Sequence, residues 1–169
     1  MGKLFNSIYK NLSPVKYWKF RGARIGENTK ISRKAELSTE PYMVEIGKSC
    51  YITSFVEFVP HDGSVHVLRN LDIKFKDIDL FKGKIIIGDN VFIGNHAAIL
   101  SGVKIGSNCI IGYGSIVTKN IPDNSVVCGV PAKVICSLGE YLQKNEKYFL
   151  KTKQLSSSKK KKVLLETFK

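Results

Sequence analysis

A six-residue periodicity from Ile87 to Val117 constrains this chain more than any other feature of its sequence. Each of five consecutive units opens with an aliphatic residue, glycine comes second in four of them, and a small residue comes fifth. The openers are Ile87, Ile93, Ile99, Ile105 and Ile111, followed by Val117, and the small residues are Val91, Ala97, Val103, Cys109 and Ser115. A helix would place apolar residues three and four apart and an amphipathic strand every second residue, so neither explains this period.

The same six-residue frame recurs upstream. Large apolar residues stand six apart in two further sets, which are Ile25, Ile31 and Leu37, then Ile46, Ile52 and Phe58. Small residues again lie four places on, at Thr29, Ala35, Cys50 and Val56. A repeat that cannot bury its apolar face alone must stack on its neighbours, which is the mark of a solenoid. The sequence therefore predicts short strands joined by turns, with three units to each triangular coil and coils stacked like strands in a sheet.

Two interruptions break this frame. Leu37 and Ile46 stand nine positions apart instead of six, and 28 residues separate Phe58 from Ile87. Long loops in compact repeats are usually functional or disordered. We therefore predict an inserted loop over about residues 59–86.

The two ends of the chain differ from the repeat. We predict an N-terminal arm or helix over residues 1–20, a β-helix domain over 21–136, and a basic helical tail over 137–169. The apolar residues with helical spacing in the first segment are Leu4, Phe5, Ile8 and Tyr9. Within the tail, we expect residues 156–162 to form a linker. The tail should cap the solenoid, because a bare coil end would expose sheet-edge groups and core.

The positive charge is concentrated at the ends of the chain. The formal net charge is +13, yet residues 25–139 carry twelve basic and eleven acidic groups. Residues 1–24 carry six basic and no acidic groups, and residues 140–169 carry nine basic and three acidic groups. Basic ends of this kind suit contact with an anionic membrane or a solvated surface. No recognition motif for nucleic acid accompanies them, so we expect no nucleic-acid partner.

Several features favour a cytoplasmic protein. No apolar run reaches 18 residues, and residues 1–20 lack the long apolar stretch of a signal peptide. Cys50 and Cys109 fall on small inward positions of the repeat, and Cys128 and Cys136 lack CxxC spacing. We expect four reduced cysteines in the cytoplasm, with the basic ends placing the protein at the inner face of the membrane.

Two strings outside the regular units carry a resemblance to a known family. One runs Val117-Thr118-Lys119-Asn120-Ile121-Pro122 and continues to Gly129-Val130-Pro131-Ala132, and the other is Pro60-His61-Asp62-Gly63. With these strings and the repeat, residues 22–136 resemble the hexapeptide-repeat acyltransferases. The nearest likeness is to the galactoside and maltose acetyltransferases and the acetyltransferases of capsule and lipopolysaccharide gene clusters. The resemblance implies a left-handed parallel β-helix, an all-β solenoid of about four to five coils. It also implies acetyl-CoA as cosubstrate, no metal, and a homotrimer with sites between its subunits.

His61 is the predicted catalytic base. It matches the place where the family positions its histidine, at the exit from a coil into an excursion. A neutral imidazole can take the proton of a sugar hydroxyl during attack on a thioester and then deliver it to the departing thiolate. A carboxylate should orient the ring. We predict Asp62 as the second catalytic residue, while Glu57 and Glu40 remain alternatives as the orienting group.

The resemblance also indicates residues for the donor and the acceptor. Asn95 and Tyr113 occupy turn positions that line the family's pantetheine groove. Thr118 and Lys119 match a pair near the adenosine end, and Lys133 stands where relatives often hold the CoA phosphate with arginine. The predicted acceptor contacts are His66, which is also the second candidate for the base, and Glu40.

The predicted reaction is acetyl transfer from acetyl-CoA to a sugar hydroxyl in surface polysaccharide biosynthesis. Within the same fold, the acceptor could instead be an antibiotic or a nucleotide-sugar amine. A γ-type carbonic anhydrase would need three zinc-binding histidines, with one well before a close pair. Here the close pair, His61 and His66, precedes His96. A β-helix scaffold without catalysis is the third alternative.

Overall fold

The structure, a computed structural model, describes residues 9–168. Helix α1 (Pro14–Phe20) precedes the repeat, and its Tyr17 and Trp18 side chains are buried in the core. Pro14 suits the first turn of this helix because that position needs no backbone N–H. Of the apolar residues predicted to form an N-terminal helix, Leu4, Phe5 and Ile8 lie outside the described residues.

Within residues 9–168, short strands form three sheets. Sheet A consists of β1 (Arg24–Ile25), β3 (Val44–Ile46), β6 (Ile85–Ile87) and β9 (Lys104–Ile105). The parallel part of sheet B consists of β2 (Lys30–Ile31), β4 (Tyr51–Ile52), β7 (Phe92–Ile93), β10 (Ile110–Ile111) and β12 (Ser125–Gly129). Sheet C consists of β5 (Glu57–Val59), β8 (Ala98–Leu100) and β11 (Ile116–Val117).

The chain passes through sheets A, B and C in turn and then returns to sheet A one layer further along. Equivalent positions of successive passes pair side by side, so that Ile46 lies beside Ile87, Ile52 beside Ile93 and Phe58 beside Ile99. All of these pairs are parallel. The predicted solenoid of stacked short strands is therefore confirmed.

The frame residues form the core of the solenoid. All twelve large residues of the frame are at most 7% exposed, and the small residues four places on are at most 8% exposed. Burying one such aliphatic side chain contributes about 1.5–3 kcal/mol. The six-residue period in the sequence is thus the spacing between side chains that point into one narrow interior.

Three rows of turns connect the sheets, and we name each row after the sheets that it joins. The A–B corner comprises residues 26–29, 47–50, 88–91, 106–109 and 122–124. The B–C corner comprises residues 32–35, 53–56, 94–97 and 112–115. The C–A corner comprises residues 38–43, 60–84, 101–103 and 118–120.

Asparagine and glycine fit the A–B corner for different reasons. Asn90, Asn108 and Asn124 each have φ of 56°, a left-handed conformation that asparagine tolerates. Their side chains form a ladder, in which Asn90 Nδ2 donates to Asn108 Oδ1 at 2.9 Å and Asn108 Nδ2 donates to Asn124 Oδ1 at 3.1 Å. A Cβ added at Gly88 would lie 2.7 Å from the backbone nitrogen of Ser107, so the close approach of adjacent coils requires glycine there.

The far end of the solenoid is covered by the last strand and helix α3. Strand β13 (Ala132–Ser137) runs antiparallel to β12, and α3 (Leu138–Asn145) packs against both strands. Ser137 and Glu140 form a capping box at the start of α3. We call residues 138–168 the C-terminal tail.

The second helix of this tail, α4 (Ser157–Thr167), includes most of the segment predicted to be a linker, so that prediction is wrong. Ser156 caps the helix by accepting a hydrogen bond from the backbone nitrogen of Lys159, and lysine is a good helix former. Among the described residues, no helix is both long and apolar enough to cross a membrane.

The insertion at the C–A corner, residues 60–84, is more structured than the predicted loop. It contains helix α2 (Val65–Leu71) and a 3-10 turn, Ile73–Phe75. The side chain of Arg69 donates from Nε to the carbonyl oxygen of Ile78 at 2.9 Å, which folds the insertion back on itself.

Candidate active site

His61 lies two residues beyond β5, where the chain leaves sheet C for the insertion. The carbonyl of Pro60 accepts a 2.6 Å hydrogen bond from Ser101 Oγ in the next coil. On the other side, the backbone nitrogen of Asp62 donates to the carbonyl oxygen of Leu80 at 2.9 Å. Because hydrogen bonds hold the backbone of both neighbouring residues, the backbone of His61 is fixed, while its side chain is 41% exposed.

A carboxylate contacts the His61 ring. Glu40 Oε2 lies 2.8 Å from His61 Nδ1. Glu40 immediately precedes the 3-10 turn Pro41–Met43, which lies in the first interruption of the frame, one coil before His61. The two interruptions of the repeat therefore meet at the C–A corner, and each supplies one member of the pair.

Hydrogen bonds lower the pKa of the Glu40 carboxyl group. Thr39 Oγ1 donates to Oε1 at 2.7 Å, and Ser38 Oγ donates to Oε2 at 3.1 Å. The bond from Thr39 is the largest cause that lowers the pKa of Glu40, and Ser38 and the His61 ring lower it further against the opposing effect of desolvation. Because a carboxylate only accepts hydrogen bonds, His61 Nδ1 carries the proton and donates to Glu40. The Nε2 atom then keeps a lone pair that can accept a proton.

The other two carboxylates that the sequence left open make different contacts. Asp62 Oδ1 accepts a 2.9 Å hydrogen bond from the backbone nitrogen of Ser64, and this bond is the main cause that lowers the pKa of Asp62. Glu57 is exposed on β5. The structure therefore places Glu40 on the His61 ring, whereas Asp62, our predicted second catalytic residue, stabilises the turn into α2.

Two clefts flank His61. The first has a volume of about 450 Å³, and its polar lining residues are His61, Asp62, Lys82, Ser101 and Thr118. The second has a volume of about 270 Å³ on the side of the insertion, and it is lined by His61 with Glu40, Arg69, Asp79 and Phe81, among others. The imidazole thus borders two separate spaces, so that two reactants could approach it from different sides.

A third cleft, of about 620 Å³, lies at the B–C corner and contains Asn95 and Tyr113. Tyr51 and Phe92 also line it, and Tyr113 is 70% exposed. Asn95 Oδ1 accepts a 3.0 Å hydrogen bond from the backbone nitrogen of Ser54. These two predicted donor contacts therefore share one cleft, but they lie at the opposite end of the sheet C strands from His61.

The remaining predicted site residues lie on the surface. Lys119 and Lys133 are exposed and line neither cleft beside His61. His66 is exposed on α2, with its Nε2 atom 3.4 Å from Asn70 Nδ2, and it also lines neither cleft. Of the polar residues predicted from the sequence, the structure brings Thr118, Asp62 and Glu40 close to His61. It leaves Lys119, Lys133 and His66 away from the clefts beside His61.

Five of the residues named above as lining the clefts beside His61 were not predicted from the sequence, namely Arg69, Asp79, Phe81, Lys82 and Ser101. Ser101 holds the end of the insertion to the next coil, since the backbone nitrogen of Lys82 donates a hydrogen bond to Ser101 Oγ at 2.9 Å. The ring of Phe81 lies 6.1 Å from that of His61. One signal did mark Ser101, because its unit, which begins Ile99-Leu100, is the only one of the five consecutive units from Ile87 that lacks glycine in second place.

The three histidines occupy separate places. His61 is at the C–A corner, His66 is on α2, and His96 is at the B–C corner, where its ring stacks on Phe55 with centroids 4.8 Å apart. Among residues 9–168, no three histidine, cysteine, aspartate or glutamate side chains are grouped so that they could hold a metal ion. The histidine set of a γ-type carbonic anhydrase is therefore not assembled within one chain.

Comparison with known proteins agrees with the fold. The model of the bacterial transferase hexapeptide family (six repeats) matches residues 84–119. Protein CapG of Staphylococcus aureus is 42% identical over 172 residues, which cover 100% of this chain and 97% of that protein.

Two further relatives are galactoside acetyltransferases. The galactoside O-acetyltransferase of Escherichia coli (strain K12) is 38% identical over 120 residues, covering 70% of this chain and 55% of that protein. A solved structure of galactoside acetyltransferase in complex with coenzyme A is 27% identical, with a TM-score of 0.60 over 90% of this chain and 86% of that one. From the repeat, the solenoid and these similarities, we conclude that the chain belongs to the hexapeptide-repeat acyltransferase family.

Proposed function

We propose that this protein transfers an acetyl group from acetyl-CoA to a hydroxyl of a sugar, in the synthesis of a surface polysaccharide. The observation that carries the proposal is the Glu40–His61 pair at the edge of the solenoid, between two clefts. The coenzyme A in the related galactoside acetyltransferase structure supports the choice of donor. The galactoside acceptor named for the relatives supports a sugar hydroxyl, and the string Pro60-His61-Asp62-Gly63 favours a polysaccharide precursor.

His61 acts as general base and then as general acid. Its Nε2 atom accepts the proton of the acceptor hydroxyl while the hydroxyl oxygen attacks the thioester carbonyl. When the carbon–sulfur bond breaks, the same proton passes from Nε2 to the departing thiolate. Glu40 holds the ring in the tautomer with Nδ1 protonated and stabilises the imidazolium that forms between the two transfers.

Predicted contacts for acetyl-CoA lie in two different clefts of one subunit. Thr118 lines the cleft beside His61, while Tyr113 lines the cleft at the B–C corner. These two residues stand five apart along the chain, a separation of at most about 16 Å, because the segment between them includes the turn at Gly114. We propose that the protein is a homotrimer in which the C–A corner of one subunit faces the B–C corner of the next, so that both sets of residues contact one donor molecule.

Other features implied by the resemblance remain predictions. They are the left-handed winding of the coils, the domain limits of 21–136, and donor contacts by Lys119 and Lys133. His66 as an acceptor contact also remains a prediction, although its position outside both clefts gives it no support.

A panel of sugar acceptors with acetyl-CoA, monitored by release of free thiol, tests the proposal. We expect at least one saccharide to accelerate thiol release. His61→Ala should lower that rate about 10²- to 10⁴-fold, whereas His66→Ala should lower it much less, because it removes at most an acceptor contact. Equal rates for wild type and His61→Ala would refute the assignment of the base. Acceleration by amine acceptors but by no saccharide would refute the sugar hydroxyl as acceptor.

A further inference from the structure

The C-terminal tail, residues 138–168, exposes many large apolar side chains. Seven of them are between 37% and 68% exposed, and they are Tyr141, Leu142, Tyr148, Phe149, Leu150, Leu165 and Phe168. Three of these residues, Tyr148, Phe149 and Leu150, are consecutive between α3 and α4, and we call them the apolar turn. A soluble surface tolerates single apolar residues, but a run of exposed aromatic and aliphatic residues marks a contact surface.

Lysines flank this apolar turn along the chain. Lys147 precedes it, Lys151 and Lys153 follow it, and four consecutive lysines, residues 159–162, lie on α4. The tail contains eight lysines and three glutamates. Among the described residues, the one ion pair formed by these lysines joins Lys162 to Glu166 across 3.9 Å. The tail therefore presents mainly uncompensated positive charge beside exposed aromatic rings.

The basic residues near the N-terminus differ from those of the tail. Lys10 forms an ion pair with Glu36 and lies 5.0 Å from the centroid of the Trp18 ring. Arg24 Nη1 lies 3.6 Å from Glu45 Oε1. These contacts within the solenoid partly compensate the charge at that end. Of the two basic ends, the C-terminal tail therefore carries more of the charge that is free to act on a partner.

From this arrangement we infer that the C-terminal tail binds an anionic membrane surface, an interaction separate from acyl transfer. Lysines attract anionic headgroups, and each lysine near such a surface contributes a roughly equal increment to binding. Tyr148 and Phe149 insert their rings at the level of the headgroups, where amphipathic aromatic side chains are favoured. The combination of charge with exposed aromatic and aliphatic residues favours a bilayer over a purely charged polymer, which would leave the apolar turn in water.

Flotation of the full chain with lipid vesicles tests this inference. We expect the protein to float with vesicles of phosphatidylcholine mixed with phosphatidylglycerol and not with vesicles of phosphatidylcholine alone. Replacing residues 159–162 with glutamine should lower the partition coefficient by roughly two to three orders of magnitude. The matched control removes the same number of charges from exposed lysines of α1 and the solenoid, through Lys16→Gln, Lys19→Gln, Lys30→Gln and Lys48→Gln.

Two additional measurements separate the contributions of charge and ring insertion. Raising the salt concentration should weaken binding of the wild-type protein, because it screens the attraction between lysines and headgroups. Tyr148→Ser combined with Phe149→Ser should reduce the partition coefficient about tenfold at constant charge. Equal binding to neutral and anionic vesicles would overturn the inference. Equal losses in the tail variant and the control variant would overturn it as well, because the effect would then follow net charge alone.

Discussion

The regular coils and the C–A corner use the same repeat in opposite ways. In the regular coils, every sixth residue is buried. Polar side chains there bind one coil to the next, as in the hydrogen-bonded ladder from Asn90 to Asn124. At the C–A corner the frame is broken twice, and the extra residues bring Glu40 to His61. The comparison teaches that the regular region supplies rigidity, while the interruptions supply the pair that we propose to be catalytic.

The largest expected effect tests the structural half of this comparison. Ile111→Ala should lower the free energy of unfolding by about 2–5 kcal/mol, because Ile111 is fully buried and its truncation leaves a cavity. Ile110→Ala is the matched control on the same strand, since that side chain is partly exposed, and it should cost less than about 1 kcal/mol. Denaturant unfolding measures both values. Similar losses for the two variants would show that the strand does not bury one face as described.

The next effect tests the functional half. Glu40→Gln should lower kcat roughly 100-fold, because a neutral amide no longer fixes the tautomer and orientation of the His61 ring. The free energy of unfolding should remain close to that of the wild type. Glu57→Gln removes the same charge from an exposed side chain on β5 and should leave kcat unchanged. If both variants lost activity equally, net charge would be responsible and the orienting role of Glu40 would be wrong.

Much of the fold could be predicted from the sequence, because a solenoid repeats the same burial pattern at a fixed interval. Less of the site could be predicted. Glu40 and His61 are 21 positions apart and come together only because two interruptions lie on the same corner of adjacent coils. The seven residues of α2 are too few to show a helical period, and the lysine run has no apolar period, so both helical segments were missed.

A smaller effect concerns pH. The folded-state pKa of Glu40 lies below its value in the unfolded chain, so this carboxylate stabilises the fold above the ordinary glutamate pKa of about 4.3. The contribution is lost as pH falls through the lowered folded-state pKa. We expect Glu40→Gln to lose less stability than the wild type between neutral and acidic pH, by less than about 1 kcal/mol for a partly exposed group. Denaturant unfolding across that range measures the difference, and a larger acid-induced loss in the variant would contradict the assigned direction.

The smallest effect distinguishes the cysteines of the core from those of the surface. Burial is the main cause that raises the pKa of the Cys50 and Cys109 thiols, which lie within the coils. Cys128 is exposed on β12. A thiol reagent should therefore modify Cys128 in the native protein and reach Cys50 and Cys109 only on unfolding. Mass spectrometry of the labelled peptides would show this order, and labelling of Cys50 in the native state would mean that the coils open.

A double-mutant cycle on kcat tests the central claim, that the two interruptions build one catalytic unit. The variants are Glu40→Gln, His61→Ala and the double mutant, each assayed with the acceptor found in the panel. If Glu40 acts through His61, the double mutant should lose no more activity than His61→Ala alone. Losses that multiply in the double mutant would show that the two residues act independently and would contradict the account.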